Sequence, residues 1–193
     1  MKYRCSVSVC AFVLATLSLH AGAENSNQPF DRIGLFAGYS RANLTDREEY
    51  ERLPLTLRLS TNLDAVFPDF ARGLPGTMRF NVEPFFTQTL SPGNRQEVGV
   101  AFMLRWETGL WMERCRFFVE GGAGPIYMTQ ETVEQSTQFN FIDQAGAGIA
   151  LSATAEWDIE LAYRYWHISN AGLDHPNSGI NGSTVYAGIS RSF

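Results

Sequence analysis

Two side chains near the end of the sequence, His167 and Ser169 in the run YRYWHISN, are of types that do nucleophilic chemistry together. Serine attacks poorly until a base takes its proton, and histidine, with an ordinary pKa of ~6.5, accepts and returns a proton near neutrality. On a β-strand, residues two apart share a face with Cα atoms roughly 6–7 Å apart, which brings the two side-chain tips within reach. A third group must hold the imidazole in the correct tautomer. In isolation, two polar residues at a membrane interface would read the same, so the strand that carries them has to decide.

Alternation of apolar and polar residues recurs along the chain. Leu53, Leu55, Leu57 and Leu59 alternate with Pro54, Thr56, Arg58 and Ser60, and Val98 to Trp106 show the same period of two. Breaks at Gly, Pro, Asn and charged clusters predict eight strands, over 33–41, 53–63, 77–90, 97–107, 115–128, 138–153, 157–169 and 182–193. Several reach the ~9–11 residues of a tilted transmembrane strand. Eight strands make a small barrel with a side-chain-filled interior. The expected fold class is all-β, an eight-stranded antiparallel transmembrane β-barrel of the bacterial outer membrane.

Within 157–169, one face carries Trp157, Ile159, Leu161, Tyr163, Tyr165, His167 and Ser169; the other carries Asp158, Glu160, Ala162, Arg164, Trp166 and Ile168. In a membrane barrel the charged side belongs to the interior and the apolar side to lipid. His167 and Ser169 are therefore expected to point outward at headgroup depth. Ser183 and Asn181 extend the parity of the last strand onto the same wall. With a periplasmic N-terminus the seventh strand runs outward, so the loop NAGLDHPNSGIN would be extracellular.

The two ends agree with export. Lys2 and Arg4, an apolar stretch from Ser6 to Leu19 and the small residues Ala21-Gly22-Ala23 read as a cleaved secretory signal over 1–23, leaving 24–193 as one barrel domain. The final Phe193, with Arg191, Ile189, Ala187 and Val185 at its parity, is similar to the terminal signal of outer-membrane barrels. Without the leader, 13 arginines face 20 acids for a net charge of −7, which argues against nucleic acid as a partner. Lys2 is the only lysine, and Cys115 the only cysteine beyond the leader, so no intramolecular disulfide is expected. Only His167 and His175 remain as histidines, so neither a metal site nor another cofactor is expected.

Other residues have plainer readings. Asp174 and His175 belong in a solvated loop. Asp143 has the parity of Phe139 and Phe141, compatible with an outward place near the dyad, but pairing with an arginine is the expected account. Gly121, Gly122, Gly124, Gly146 and Gly148 precede no helix pattern, so they relieve crowding between strands and do not bind phosphate. Trp106, Trp111, Trp157 and Trp166 suit interfacial belts.

The string HISNAGLDHPNSGIN, with YRYW before it and FNFIDQAGAG, FVEGGAGPIY and VEPFF upstream, resembles the lipid A 3-O-deacylase (PagL-like) family of outer-membrane enzymes. The resemblance is strongest over 118–193. It implies that Ser169 is the nucleophile, His167 the base and Asn170 the residue tied to oxyanion stabilisation. It also implies lipid A of lipopolysaccharide as the substrate, an active site facing the outer leaflet, and leaves a homodimer open. Asn181 stands where the family has a Glu. Three readings follow: Asn181 orients His167, a nearby acid such as Asp174 substitutes, or catalysis has been lost. Branches similar to this chain are also labelled acyloxyacyl hydrolase, which makes the secondary acyl ester an alternative bond. A non-catalytic barrel with a surface role and a soluble lipocalin-like carrier are the readings from other classes.

Overall fold

The computed structural model describes residues 29–45, 49–67, 75–130 and 132–193. The expected leader over 1–23 lies outside these. Eight strands follow one another: β1 (Arg32–Asn43), β2 (Glu49–Asn62), β3 (Thr77–Ser91), β4 (Arg95–Glu107), β5 (Cys115–Met128), β6 (Phe139–Ser152), β7 (Trp157–Ser169) and β8 (Ile180–Ser192). Each pairs antiparallel with the next, and β1 closes on β8 from Arg32↔Ser192 to Ala42↔Gly182. A single helical turn, α1 (Leu63–Val66), follows β2, its first N–H groups capped by Asn62, whose Oδ1 accepts from Asp64 at 2.9 Å.

Strands β5 and β7 have the expected bounds. β2 starts four residues earlier than its alternation suggested, at Glu49, because Tyr50 and Arg52 continue the inward face and are buried. The charged residues that read as a break are the end of a strand, where outward charges such as Glu51 rise out of the apolar band.

The wall is inverted relative to a soluble protein. Leu53, Leu55, Leu57, Phe102, Leu104, Ile159, Leu161, Val185 and Ile189 all face outward, exposed, while Arg52, Arg58, Glu83, Glu97, Arg105, Glu120, Glu160 and Arg164 are buried inside. A closed sheet leaves no backbone edge unpaired, the condition for crossing lipid. No helix among the described residues is long and apolar enough to cross a membrane.

The buried charges pair with one another. Arg164 donates to Glu83 at 2.6 and 3.0 Å and to Glu120 at 2.7 Å; Arg58 donates to Glu83 at 2.7 Å and to Glu160 at 2.9 Å. Above this ionic layer, towards the ends of the strands that carry the dyad, lies an apolar plug of Ala42, Leu44, Tyr50, Ile126, Met128, Ile142, Trp166, Ile168 and Ile180. The cluster packs against the inner side of the strand ends that carry the dyad.

Three of the four tryptophans lie near the opposite rim. Trp111 is exposed there, Trp157 lies beneath Arg191, and Trp106 Nε1 donates to Pro75 O at 2.7 Å. The belt expectation fails for Trp166, which has interior parity: its ring is buried, its Nε1 donates to Ser40 Oγ at 3.0 Å, and Arg52 stacks 4.5 Å from its centroid. At the dyad end the outward aromatics are Tyr39, Tyr127, Tyr163, Tyr165 and Phe139. Gly122 and Gly124 lie where β4 passes so closely that an added Cβ would collide with the Phe102 and Val100 carbonyls, as crowding relief requires.

Candidate active site on the outer wall

The site occupies the last residues of β7 and the first of β8. Along β7 the side chains alternate strictly: Tyr163 and Tyr165 are exposed and His167 and Ser169 half-buried, while Arg164, Trp166, Ile168 and Asn170 are buried. The inward residues hold the strand. Ile168 and Trp166 are locked in the plug, and Gly182 of β8 leaves room for the indole, since a Cβ there would sit 2.7 Å from Trp166 Cε2. Anchoring every second residue fixes the outward ones in place.

His167 and Asn181 are register partners across β7 and β8, and His167 Nδ1 lies 2.8 Å from Asn181 Oδ1. Tyr165 Oη donates to the same Oδ1 at 2.9 Å. With the amide oxygen accepting from both, Nδ1 carries the imidazole proton and Nε2 is left as the basic nitrogen. Tyr163 and Ser183 pair next along the wall, their oxygens 2.6 Å apart. Gly179, with φ of 77°, lies against the imidazole: a Cβ there would fall 3.1 Å from Nε2 and closer still to Cε1. This glycine is required both by its left-handed backbone and by the ring it accommodates.

Ser169 shares the face of His167 two residues on, opposite Phe141 of β6. No hydrogen bond joins the two side chains in this structure.

Asn170 faces the other way. It is buried, and its side-chain amide donates to Ser136 Oγ at 3.2 Å and to Asp174 O at 2.9 Å, while its Oδ1 accepts from Gly172 N at 2.9 Å. Its backbone N–H donates to Asn177 Oδ1 at 2.9 Å. Asn170 thus clasps the β7–β8 loop, and its side chain lies on the face opposite Ser169. The loop in turn leans on the β5–β6 loop through Ser136 N to Pro176 O at 3.0 Å and Ser178 N to Glu134 O at 3.1 Å.

Asp174 is exposed and its Oδ1 accepts the N–H of its own neighbour His175 at 2.8 Å. Asp143 is exposed on the outer wall of β6, directly opposite His167 in register. The expected pairing with an arginine is not made among the described residues, because the arginines nearest in sequence project into the lumen. The described residues include no cluster able to hold a metal ion.

Tyr165 and Gly179 do not stand out by residue type. The signals were present, one in Tyr165 sharing the outward parity two residues before the histidine, the other in the Gly-Ile pair just before Asn181.

Residues 55–190 match the family described as lipid A 3-O-deacylase (PagL). A lipid A deacylase PagL from Bordetella bronchiseptica is 31% identical over 94 residues, covering 47% of this chain and 48% of that protein. The chain therefore matches about half the length of that relative. The crystal structure of the outer membrane enzyme PagL aligns with a TM-score of 0.60 at 18% identity, over 79% of this chain and 97% of that one. Neisserial surface protein A aligns with a TM-score of 0.57 at 10% identity, over 84% and 96% of the two chains. At such identities the structural matches speak for the barrel alone, and together with the family match they place the protein in the outer membrane. By the family match over most of its barrel, the chain belongs to the lipid A 3-O-deacylase (PagL) family.

Proposed function

We propose that the protein is an outer-membrane serine esterase that hydrolyses the 3-O-linked acyl chain of lipid A, with its active site in the outer leaflet. The observation that carries this reading is the hydrogen bond from His167 to Asn181, which leaves Nε2 basic on the same face of the same strand as Ser169. The face carries the exposed apolar side chains Ile159 and Leu161 and the rings of Tyr163 and Tyr165, which suits an amphiphile that is embedded in the leaflet and presents its ester sideways.

In the first half-reaction His167 Nε2 takes the Ser169 proton as Oγ bonds to the acyl carbonyl carbon. The tetrahedral oxyanion collapses by breaking the bond to the sugar oxygen, which receives the proton back from His167. Water then attacks the acyl-serine, His167 taking its proton and returning it to Oγ, and the fatty acid leaves. An N–H donor aimed at the oxyanion is worth about 3–4 kcal/mol in such sites. The main-chain N–H of Asn170, next to the nucleophile, is the proposed donor, exchanging Asn177 Oδ1 for substrate; its side chain serves the loop.

Purified protein in detergent is incubated with lipopolysaccharide, and both the fatty acid released and the mass lost from lipid A are read by mass spectrometry. Loss of the primary 3-hydroxyacyl chain that disappears in Ser169→Ala is the expected result. Loss of a secondary acyl chain would move the assignment to the acyloxyacyl ester, and turnover surviving in Ser169→Ala would overturn the nucleophile.

A further inference from the structure

His167 has a neighbour on each side of it in the sheet: Asn181 of β8 and Asp143 of β6 are both its register partners. We propose that Asp143 is a positioning residue of this esterase, its carboxylate stabilising the imidazolium that forms on His167 while Ser169 is acylated. The inference rests on the reading of His167 and Ser169 given above.

Three observations lead there. The first is an incomplete triad: Asn181 supplies an acceptor that fixes the tautomer, yet a neutral amide leaves the charge of a protonated imidazole uncompensated. The second is placement, since residues directly opposite in an antiparallel pair hold their Cβ atoms about 4.5–5.5 Å apart. Both side chains stand on the outer face, so the carboxylate and the imidazole are neighbours across β6 and β7.

The third is that Asp143 has no structural employment. It projects from the outer wall between the parity positions of Phe141 and Ala145, where an unpaired carboxylate is unfavourable, and it makes no ion pair among the described residues. The lumen acids, by contrast, are matched to arginines. A wall carboxylate with no partner in the resting protein is accounted for by a partner that becomes charged during turnover.

The other groups facing His167 do not supply that charge. Tyr165 on β7 is neutral and engaged with Asn181; on β8 the outward neighbours are Asn181 and Ser183; the loop acid Asp174 takes the His175 N–H. The work of one carboxylate is thus divided, orientation to β8 and charge to β6.

The test uses full-length protein in micelles with two readouts: lipopolysaccharide deacylation, and the rate at which a fluorophosphonate probe phosphonylates Ser169, which does not depend on lipid A being the substrate. Asp143→Asn is expected to lower kcat and the labelling rate roughly tenfold to a hundredfold, with KM unchanged within about twofold. Asp143→Glu retains the wild-type rates. Asn181→Glu recovers most of the loss in the Asp143→Asn background and adds little to the wild type. Should Asp143→Asn label and turn over as the wild type does, or Asn181→Glu fail to rescue it, the proposal is overturned. If lipopolysaccharide is untouched while labelling falls with Asp143→Asn, Asp143 keeps its role and the substrate reading fails instead.

Discussion

Asn181 Oδ1 accepts two hydrogen bonds, from His167 at 2.8 Å and from Tyr165 at 2.9 Å, and this shared acceptor ties the imidazole to the wall of the barrel. Replacing it separates orientation from charge. Asn181→Ala removes the acceptor and frees the ring to take either tautomer, and kcat is expected to fall on the order of a hundredfold or more. Asn181→Glu keeps an acceptor and is expected to keep activity. Deacylation kinetics on purified lipopolysaccharide check both; equal activity in Asn181→Ala and wild type would show that the imidazole is held by something else.

Gly179 offers a steric test of the same geometry. Its φ of 77° disfavours any side chain, and an alanine methyl would collide with the imidazole edge. Gly179→Ala is expected to displace His167 and abolish most turnover while the barrel stays folded, because the glycine lies at the loop's end and outside the sheet ladder. Heat-modifiable gel mobility should match the wild type and deacylation should not.

How much of this was legible beforehand follows from strand parity. Alternation along 157–169 placed His167 and Ser169 outward and Arg164 inward, because a strand allows only two faces and a charge selects one. For Trp166 parity outweighs residue type: its inward position takes it out of the belt that tryptophans suit. Parity likewise puts Asp143 outward, and the inward parity of Arg164 on the adjacent strand leaves it without the arginine partner that its charge suggests. The Asn170 clasp was beyond reach for another reason: its partners Ser136, Asp174 and Asn177 belong to two loops that meet only once the barrel closes.

The lumen predicts a stability effect remote from the dyad. Arg164 bridges Glu83 and Glu120, all three buried. Arg164→Met leaves two carboxylates without their shared guanidinium, and breaking such a buried pair costs about 3–5 kcal/mol. Urea unfolding in micelles is expected to show that loss. A change under about 1 kcal/mol, the size of an exposed pair, would mean that water or the remaining Arg58 already compensates the acids.

Glu134 gives the outer loops a pH response. It lies in the β5–β6 loop, and its Oε1 accepts the Thr45 N–H of the β1–β2 loop at 2.5 Å. Burial pushes its carboxyl up, but the hydrogen bonds, that from Thr45 foremost, outweigh it and hold the group below the usual glutamate value of 4.5. A carboxyl depressed in the folded state stabilises the fold above its unfolded value and ceases to do so as pH falls through the folded one. The contact is therefore expected to be constant from neutrality down to about pH 5 and to weaken only at lower pH. Amide exchange at Thr45, corrected for the intrinsic rate, should show protection that persists to that point and then declines, and Glu134→Gln should remove the decline. Protection lost already between pH 7 and 6 would assign the response to a histidine and not to this carboxylate.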